Sequence, residues 1–431
     1  MKMMKKEALL IFPLLTAIVV GMSSCEHEEV TVLGDDVAAV NMVYPSVSVK
    51  LTTEQKSYVR ANNTFAFNLF RNISENDGSN SSFCSPLSVT YMLGMLQSGG
   101  VGNTQKEIQD VLGFGTNNSK SINEYCENLM KNAPKVDSKV TLNIANSIFV
   151  NNAIASISKP YQEEMEHYYE AEVSDMDFTD KNNVDVINRW CDKKTEGMIP
   201  EILSKDEFSP ANVMYLLNAI YFKADWTEKF NEKYTQKEDF NTPSGKKKVD
   251  MMHQKVMVRY AQAEDYSVIS LPYGDGDFYM MLLLPNEGKS VEDVVNGLQP
   301  GLLEESSMPS CEVDVKIPRW ETSTNIPLID ILKKMGIRQV FDCNTAELTK
   351  MADSGTPLYV SMMKQLAKIE VNEKGSKAAA VTIAGTAMTT SVEKEPELPR
   401  KAIFHATRPF VYLITERGSN AIFFIGKYTG E

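Results

Sequence analysis

The sequence predicts an α+β fold built as one large domain, and three features predict it. Helical signals crowd the first third of the chain, near-continuous apolar runs of strand length come later, and the two never alternate regularly. No internal repeat and no second linker divides the chain.

The stretch from Gly34 to Lys50 has no strong periodicity and reads as a linker. A helix with apolar positions Val59, Ala66, Leu69, Phe70 and Ile73 follows. In SPLSVTYMLGMLQSGG, Ser85 suits an N-cap, Pro86 suits the first helical turn, and Gly99-Gly100 ends the helix. Thr104-Gln105-Lys106-Glu107 has capping-box spacing and predicts a short helix running to Gly113. VMYLLNAIYF (213–222) and FYMMLLLP (278–285) are apolar on both parities, as strands covered on both faces must be. FVYLIT (410–415) and AIFFIG (421–426) repeat that pattern across the turn Arg417-Gly418-Ser419-Asn420.

The 431 residues are 43% hydrophobic and 23% charged, an ordinary globular composition, and the net charge of −13 leaves no basic face for a nucleic acid. The basic run Lys246 to Lys248 follows Ser244-Gly245 and reads as a solvated hairpin turn. Catalytic signatures are absent: there is no G-x-S-x-G, H-E-x-x-H or G-x-G-x-x-G, so no enzyme activity is expected. Gly288-Lys289-Ser290 is a turn, because Leu283 and Pro285 occupy positions where a phosphate loop needs glycine and freedom. His27, His167, His253 and His405 are the four histidines, none in the context of a base beside a nucleophile, and the last three read as structural. Cys84, Cys126, Cys191, Cys311 and Cys343 are widely and irregularly spaced, which implies neither a disulfide framework nor a metal site; small buried hydrophobes are expected, and no metal or other cofactor.

The N-terminus has Lys2, Lys5 and Lys6, an apolar run from Ala8 to Met22 that is short for a membrane span, and then Ser23-Ser24-Cys25. Small residues directly before a cysteine resemble a bacterial lipobox, which makes Cys25 a lipid anchor; the alternative is a plain cleaved signal peptide. The expected organisation is a leader over 1–24, an acidic and polar tether over 25–50 and the folded domain over 51–431. Glu26-His27-Glu28-Glu29 resembles the surface-export signal of lipoproteins in some Gram-negative bacteria, so the expected place is the outer membrane, at the cell surface.

One segment does not read as core. From Gly375 to Pro409 no buried element is obvious, and a connection this long is usually functional. Its first part, Ala378 to Met388, is low in charge and could form a strand. In a strand, Ser376, Ala378, Ala380, Thr382 and Ala384 share one face, all small, while Lys377, Ala379, Val381 and Ile383 share the other. Gly375 stands where the chain must change direction.

NEKGSKAAAVT resembles the hinge of inhibitory serpins. SPLSV (85–89), LNAIYFKADW (217–226), the hairpin from Phe240 to Met252, LPY (271–273), KIPRWE (316–321) and RPF (408–410) follow in serpin order, so the resemblance covers roughly Leu51 to Glu431. It implies the serpin fold, with about nine helices, three β-sheets and an exposed reactive-centre loop over about 373–400. It implies a suicide inhibitor: a serine or papain-like cysteine endopeptidase attacks the loop, and the cut loop inserts into the central sheet before the acyl-enzyme can hydrolyse. The hinge is then Glu373, Lys374, Gly375, Ser376, Lys377, Ala378, Ala379 and Ala380. It carries no proline and no bulky inward residue, which favours inhibition over the alternative, a non-inhibitory member acting as a protease substrate or binding module. Counting from the hinge puts the reactive bond at Thr389-Thr390, with Met388-Thr389 one step earlier. Those residues suit elastase-, chymotrypsin-, subtilisin- or papain-like partners and disfavour trypsin-like ones. Ser85, Ser88, Asn218 and Trp226 match the family's sheet-opening region, and Gln365 stands where a histidine is frequent. A monomer is expected, with no nucleic-acid partner and membrane contact through Cys25.

Overall fold

A computed structural model describes residues 48–115, 119–354, 357–376 and 399–431, the side chains of Leu302, Leu303 and Ser354 excepted. Among them are eight α-helices: α1 (Thr53–Asp77), α2 (Pro86–Gly99), α3 (Gly102–Leu112), α4 (Ser119–Asn132), α5 (Lys159–Tyr169), α6 (Asn183–Lys194), α7 (Val291–Gly297) and α8 (Ile329–Met335). Seventeen strands accompany them: β1 (Ser82–Cys84), β2 (Val140–Asn151), β3 (Ala155–Ile157), β4 (Glu172–Met176), β5 (Met214–Asp225), β6 (Gln236–Thr242), β7 (Gly245–Gln262), β8 (Tyr266–Tyr273), β9 (Phe278–Pro285), β10 (Ser310–Pro318), β11 (Trp320–Pro327), β12 (Ala352–Ser354), β13 (Met362–Asn372), β14 (Gly375–Ser376), β15 (Lys401–His405), β16 (Phe410–Glu416) and β17 (Ile422–Tyr428). Three sheets result, as expected.

Helix starts follow local chemistry where the cap side chain is free to act. Thr52 caps α1 by accepting from Gln55 N, whose side chain answers back to Thr52 N. Ser85 caps α2 and Pro86 opens it. The capping box expected at Thr104 does not form. The helix begins at Gly102, with Val101 at the cap position three residues earlier, and Thr104 is buried inside it, where its hydroxyl accepts from Glu347 N and donates to Gln339. A tertiary contact has taken the group that the cap needed. Gly113 ends α3 in the left-handed region, φ 73°.

The strands from the apolar runs are buried, β9, β16 and β17 throughout and β5 except at Lys223 and Asp225. The larger sheet runs β1-β17-β16-β9-β8-β7-β10-β15, with β6 paired to β7. The six-stranded sheet runs β11-β13-β14-β5-β2-β4. The two faces of the smaller sheet are sealed separately, which explains the absence of polar alternation in β5. Leu216, Ile220 and Phe222 enter the main core, whereas Tyr215, Leu217 and Ala219 join a second cluster with Phe178, Ile187 and Trp190 under α6.

Two expectations about the chain ends change. The span from Gly375 to Pro409 was expected to hold no buried element, yet it contributes β14 and β15; Ser376, Phe404 and Ala406 are buried. The alternation in KAIFH is too short to stand out, and one inward phenylalanine carries it. Val49 is already buried in the main core, ahead of α1. Of the cysteines, Cys84, Cys126, Cys191 and Cys311 are buried as expected, and Cys343 is exposed.

Candidate functional site

The unusual feature of the six-stranded sheet is where its pairing stops. β13 pairs with β11 from Pro327↔Lys364 to Trp320↔Val371, and β5 pairs with β2 from Val150↔Met214 to Val140↔Ala224. Between β13 and β5 there are four parallel pairs, Met362↔Tyr215 to Gln365↔Asn218. Beyond them the strands part, and β14 lies between their far ends, antiparallel to both, with Ser376 opposite Val371 and Ala224. Residues 366–370 and 219–223 therefore flank an opening that no ladder pairing bridges among the described residues. Two facing edges of that kind form a template for one more strand.

The closed end of the opening is a buried amide network. Gln365 Nε2 donates to Ser85 O at 2.8 Å while its Oε1 accepts from Ser85 N at 3.0 Å, so one side chain ties β13 to the start of α2. Ser85 Oγ accepts from Ser88 N and from Ser88 Oγ. Opposite Gln365, Asn218 donates to Asn146 Oδ1 at 2.8 Å, and Asn146 donates to Tyr169 O. Asn218 Oδ1 is buried with no hydrogen-bond partner among the described residues. The structure thus brings together Ser85, Ser88, Asn218 and Gln365, which the sequence placed in the sheet-opening region.

The open end is held by the hinge. Asn372 to Gly375 turn the chain from β13 into β14. Trp226 Nε1 donates to Asn372 O at 2.9 Å, Trp226 N to Lys374 O at 2.8 Å, and Phe230 N to Glu373 O at 2.9 Å. The Trp226 ring stacks on Tyr273, 4.4 Å between centroids and 10° between planes. The Tyr273 hydroxyl lies 2.9 Å from Ser376 Oγ. Ser376 therefore points inward, which sets the parity expected of the loop's small-residue face. Lys374 is exposed at the turn.

Glu373 is the buried charge of this end, its side chain only 4% exposed. Arg319, in the Pro318–Trp320 link from β10 to β11, reaches both its oxygens, Nη2 to Oε1 at 2.5 Å and Nε to Oε2 at 3.2 Å, and Thr235 donates to Oε1 at 2.6 Å. Burial pushes the Glu373 carboxyl up, but the hydrogen bonds from Arg319 and Thr235 outweigh it and hold the group below the ordinary glutamate range. Arg319, Thr235 and Tyr273 carried no role in the sequence reading. KIPRWE contains the arginine, but nothing in the sequence places it beside a residue 54 positions away.

Gly375 has φ +144°, and a Cβ there would lie 2.1 Å from Ala224 O and 2.6 Å from Asp225 Cα. Only glycine fits, because the obstructing atoms are backbone. Lys377, Ala378, Ala379 and Ala380 of the hinge, the reactive bond at Met388, Thr389 and Thr390, and Cys25 lie outside the described residues. Among the described residues no group of three His, Cys, Asp or Glu side chains is placed to hold a metal ion. No described helix is long and apolar enough to cross a membrane.

Residues 60–430 match the family model for serpins, serine protease inhibitors. The chain is similar to the leukocyte elastase inhibitor of Xenopus tropicalis, 31% identical over 380 residues that span 85% of this chain and 97% of the relative. It is also similar to antithrombin-III of Mus musculus, 30% identical over 85% of this chain and 80% of that one. Among solved structures, the native state of tengpin, a thermophilic serpin, superposes with a TM-score of 0.78 at 27% identity, over 89% of this chain and 96% of that chain. Thyroxine-binding globulin in complex with thyroxine superposes at 0.76 and 26%, over 86% and 98%.

Two outcomes follow from the hinge. Glu373→Ala removes charge-assisted hydrogen bonds from a buried acceptor, while half-exposed Arg319 regains water; urea unfolding of the uncut protein should show a loss of about 2 kcal/mol. Because the folded carboxyl lies below its unfolded value, its stabilisation is complete above the ordinary glutamate range and is lost as pH falls through the folded value. The gap between wild type and Glu373→Gln should therefore close as pH drops from neutral to below about 4. Gly375→Ala should expel Ser376 from the sheet, read as a change in Trp226 emission and a loss of more than about 1 kcal/mol in the same unfolding assay.

Proposed function

The chain belongs to the serpin family, and from that premise we propose that it inhibits endopeptidases as a suicide substrate whose cut loop becomes a strand of its own sheet. The observation that carries this reading is the opening between β13 and β5 with β14 already seated at its mouth. Each further loop residue would step one place back along β5, so that residue 381 comes to lie opposite Ala219, against the Gln365↔Asn218 pair. Going deeper means breaking the four β13–β5 pairs and replacing each with hydrogen bonds to the newcomer. A strand paired on both sides gains about 1 kcal/mol net per hydrogen bond. Cleavage supplies the freedom to do this, because the new end is no longer tied to β15.

The mechanism needs no group that does chemistry in this chain. The protease nucleophile attacks the reactive carbonyl, at Met388-Thr389 or Thr389-Thr390, and expels the C-terminal side as an amine. The resulting acyl-enzyme is bonded to the loop, and insertion carries it along the sheet. Strain at that bond distorts the oxyanion hole on which deacylation depends, and the ester or thioester persists. Inward residues of the loop share the face of Ala224, Phe222 and Ile220 and must be small to pass over the main core. Ser376, Ala378, Ala380, Thr382 and Ala384 meet that requirement.

The relatives named as elastase inhibitor and antithrombin support protease inhibition, and the residues around Met388 favour elastase-, chymotrypsin-, subtilisin- or papain-like targets over trypsin-like ones. Export, lipid attachment at Cys25 and display at the outer-membrane surface of a Gram-negative bacterium belong to the same proposal, supported by Ser23-Ser24-Cys25 and the acidic residues after it.

Incubation with a panel of such proteases should yield a complex stable in SDS, and mass spectrometry of the released peptide should give a new N-terminus at Thr389 or Thr390. Cleavage with no complex, and no gain in heat resistance of the cut protein, would establish the non-inhibitory alternative instead. Ala380→Arg forces an unpaired charge beneath the inserted strand, so this variant should be cut at an unchanged bond while the yield of complex falls at least tenfold, an effect of several kcal/mol on insertion.

A further inference from the structure

One cleft shares no residue with the opening or the hinge. It lies between α1 and α3, is closed at one end by the end of α8, and has a volume of about 590 Å³, within the range of small-molecule sites. Its two long walls are unlike. Asn68, Arg71 and Asn72 stand on one face of α1 at i, i+3 and i+4, and Glu107, Asp110 and Val111 stand at the same spacing on α3. One wall therefore presents a cation and amides, the other two carboxylates. Val111 and Met335, the last residue of α8, supply the apolar part.

Opposite charges that line one cleft usually close on each other, and here they do not. Arg71 forms no ion pair among the described residues: Nε and Nη2 donate to the carbonyls of Asn296 and Leu298 at the end of α7, and Nη1 donates to Asn68 Oδ1 at 2.8 Å. Burial lowers the Arg71 pKa from its ordinary value, and no carboxylate offsets that loss. On the facing wall, Glu107 Oε2 accepts from the backbone N–H groups of Arg338 and Gln339 at 2.8 and 2.9 Å, and Asp110 Oδ2 accepts from Lys106. Glu107 Oε1 and Asp110 Oδ1 have no hydrogen-bond partner among the described residues. By the same count Arg71 keeps one unused N–H on each Nη.

A singly charged ligand meets attraction at one wall and repulsion at the other, whereas a ligand charged at both ends satisfies both. We propose that the α1–α3 cleft binds a short zwitterionic peptide, its carboxylate on Arg71, its ammonium on Glu107 and Asp110, and an aliphatic side chain over Val111 and Met335. A dipeptide holds its end charges about 3.5 Å further apart than a free amino acid does, one residue's advance, and so suits walls that do not reach each other. The cleft is open and water competes for every contact, so the affinity is modest, about 0.1–1 mM for a ligand of this size. The site is independent of the inhibitory reading and holds whether or not the loop inserts.

The test titrates alanyl-leucine into the full chain carrying labelled methionine methyl groups, read by calorimetry and by the Met335 methyl resonance. Saturable binding at about 0.1–1 mM with a shift at Met335 is expected. N-acetyl-alanyl-leucine, which lacks the ammonium, and alanyl-leucine amide, which lacks the carboxylate, should each bind at least about tenfold more weakly. Asp110→Asn and Glu107→Gln keep the shape of the wall, and the glutamine keeps an oxygen for the backbone N–H groups of Arg338 and Gln339. The double variant should lose about tenfold in affinity for the free dipeptide, with the remaining methyl resonances unchanged as a check on the fold. No saturable shift at Met335 up to about 10 mM overturns the site. Blocked peptides that bind as tightly as the free one, or a folded double variant that binds it undiminished, overturn the assignment to a zwitterion.

Discussion

A buried peptide group needs a partner, and between β13 and β5 the described residues form no ladder pairs after Gln365↔Asn218 until β14. β13 and β5 each complete a full ladder on their outer side, with β11 and β2, and then diverge from each other after Gln365↔Asn218. Because α6 and the main core seal the two faces, this is an internal edge, which differs in kind from the rim of a sheet. A rim can be answered by water or by another molecule. An internal edge is answered most completely by a strand of the same chain, and β14 shows the geometry such a strand takes.

The two ends of the opening are held by unlike chemistry. At the hinge, Glu373 and Arg319 form a bidentate pair with one partner buried and the other half in water, so acid or salt can reach it. At the closed end the ties are neutral amides and hydroxyls without access to solvent, where hydrogen bonds meet no competition but any unpaired atom is costly. Asn218 Oδ1, at the pair where the strands part, is buried without a hydrogen-bond partner among the described residues. Glycine at 375 adds a purely steric term: the chain passes Ala224 O too closely for any side chain.

Much of this was legible in the sequence, for reasons that differ from residue to residue. β5, β9, β16 and β17 were visible because burial on both faces writes itself as an unbroken apolar run. Ser85 and Pro86 were visible because capping is local. Thr104 misled for the same reason: its spacing to Glu107 is that of a cap, but the hydroxyl is committed to Glu347 and Gln339, and no local rule registers a partner more than two hundred residues away. β15 escaped notice because five residues with one buried phenylalanine make no pattern. The hinge was read from its small residues and its resemblance to a family. The Glu373–Arg319 pair beneath it was not legible, since each residue is ordinary alone and only the β10–β11 link brings them together.

On the proposed mechanism, the loop's two anchors also account for how a single cut could change the whole molecule. Ser376 belongs to the six-stranded sheet and His405 to the nine-stranded one. While the chain between them is continuous, movement of one anchor is opposed by the other, through covalent bonds that no thermal fluctuation breaks. Packing can tune that opposition but cannot cancel it. On that mechanism, hydrolysis or acyl transfer anywhere between the anchors removes it at once and unequally: the C-terminal piece stays with β15, which Phe404 and His405 hold, and the N-terminal piece is left attached only at the hinge, beside the edges of β13 and β5 that no pairing bridges among the described residues. The position of the bond along the loop then fixes how much strand is freed, and hence how far anything attached to its new end can be carried.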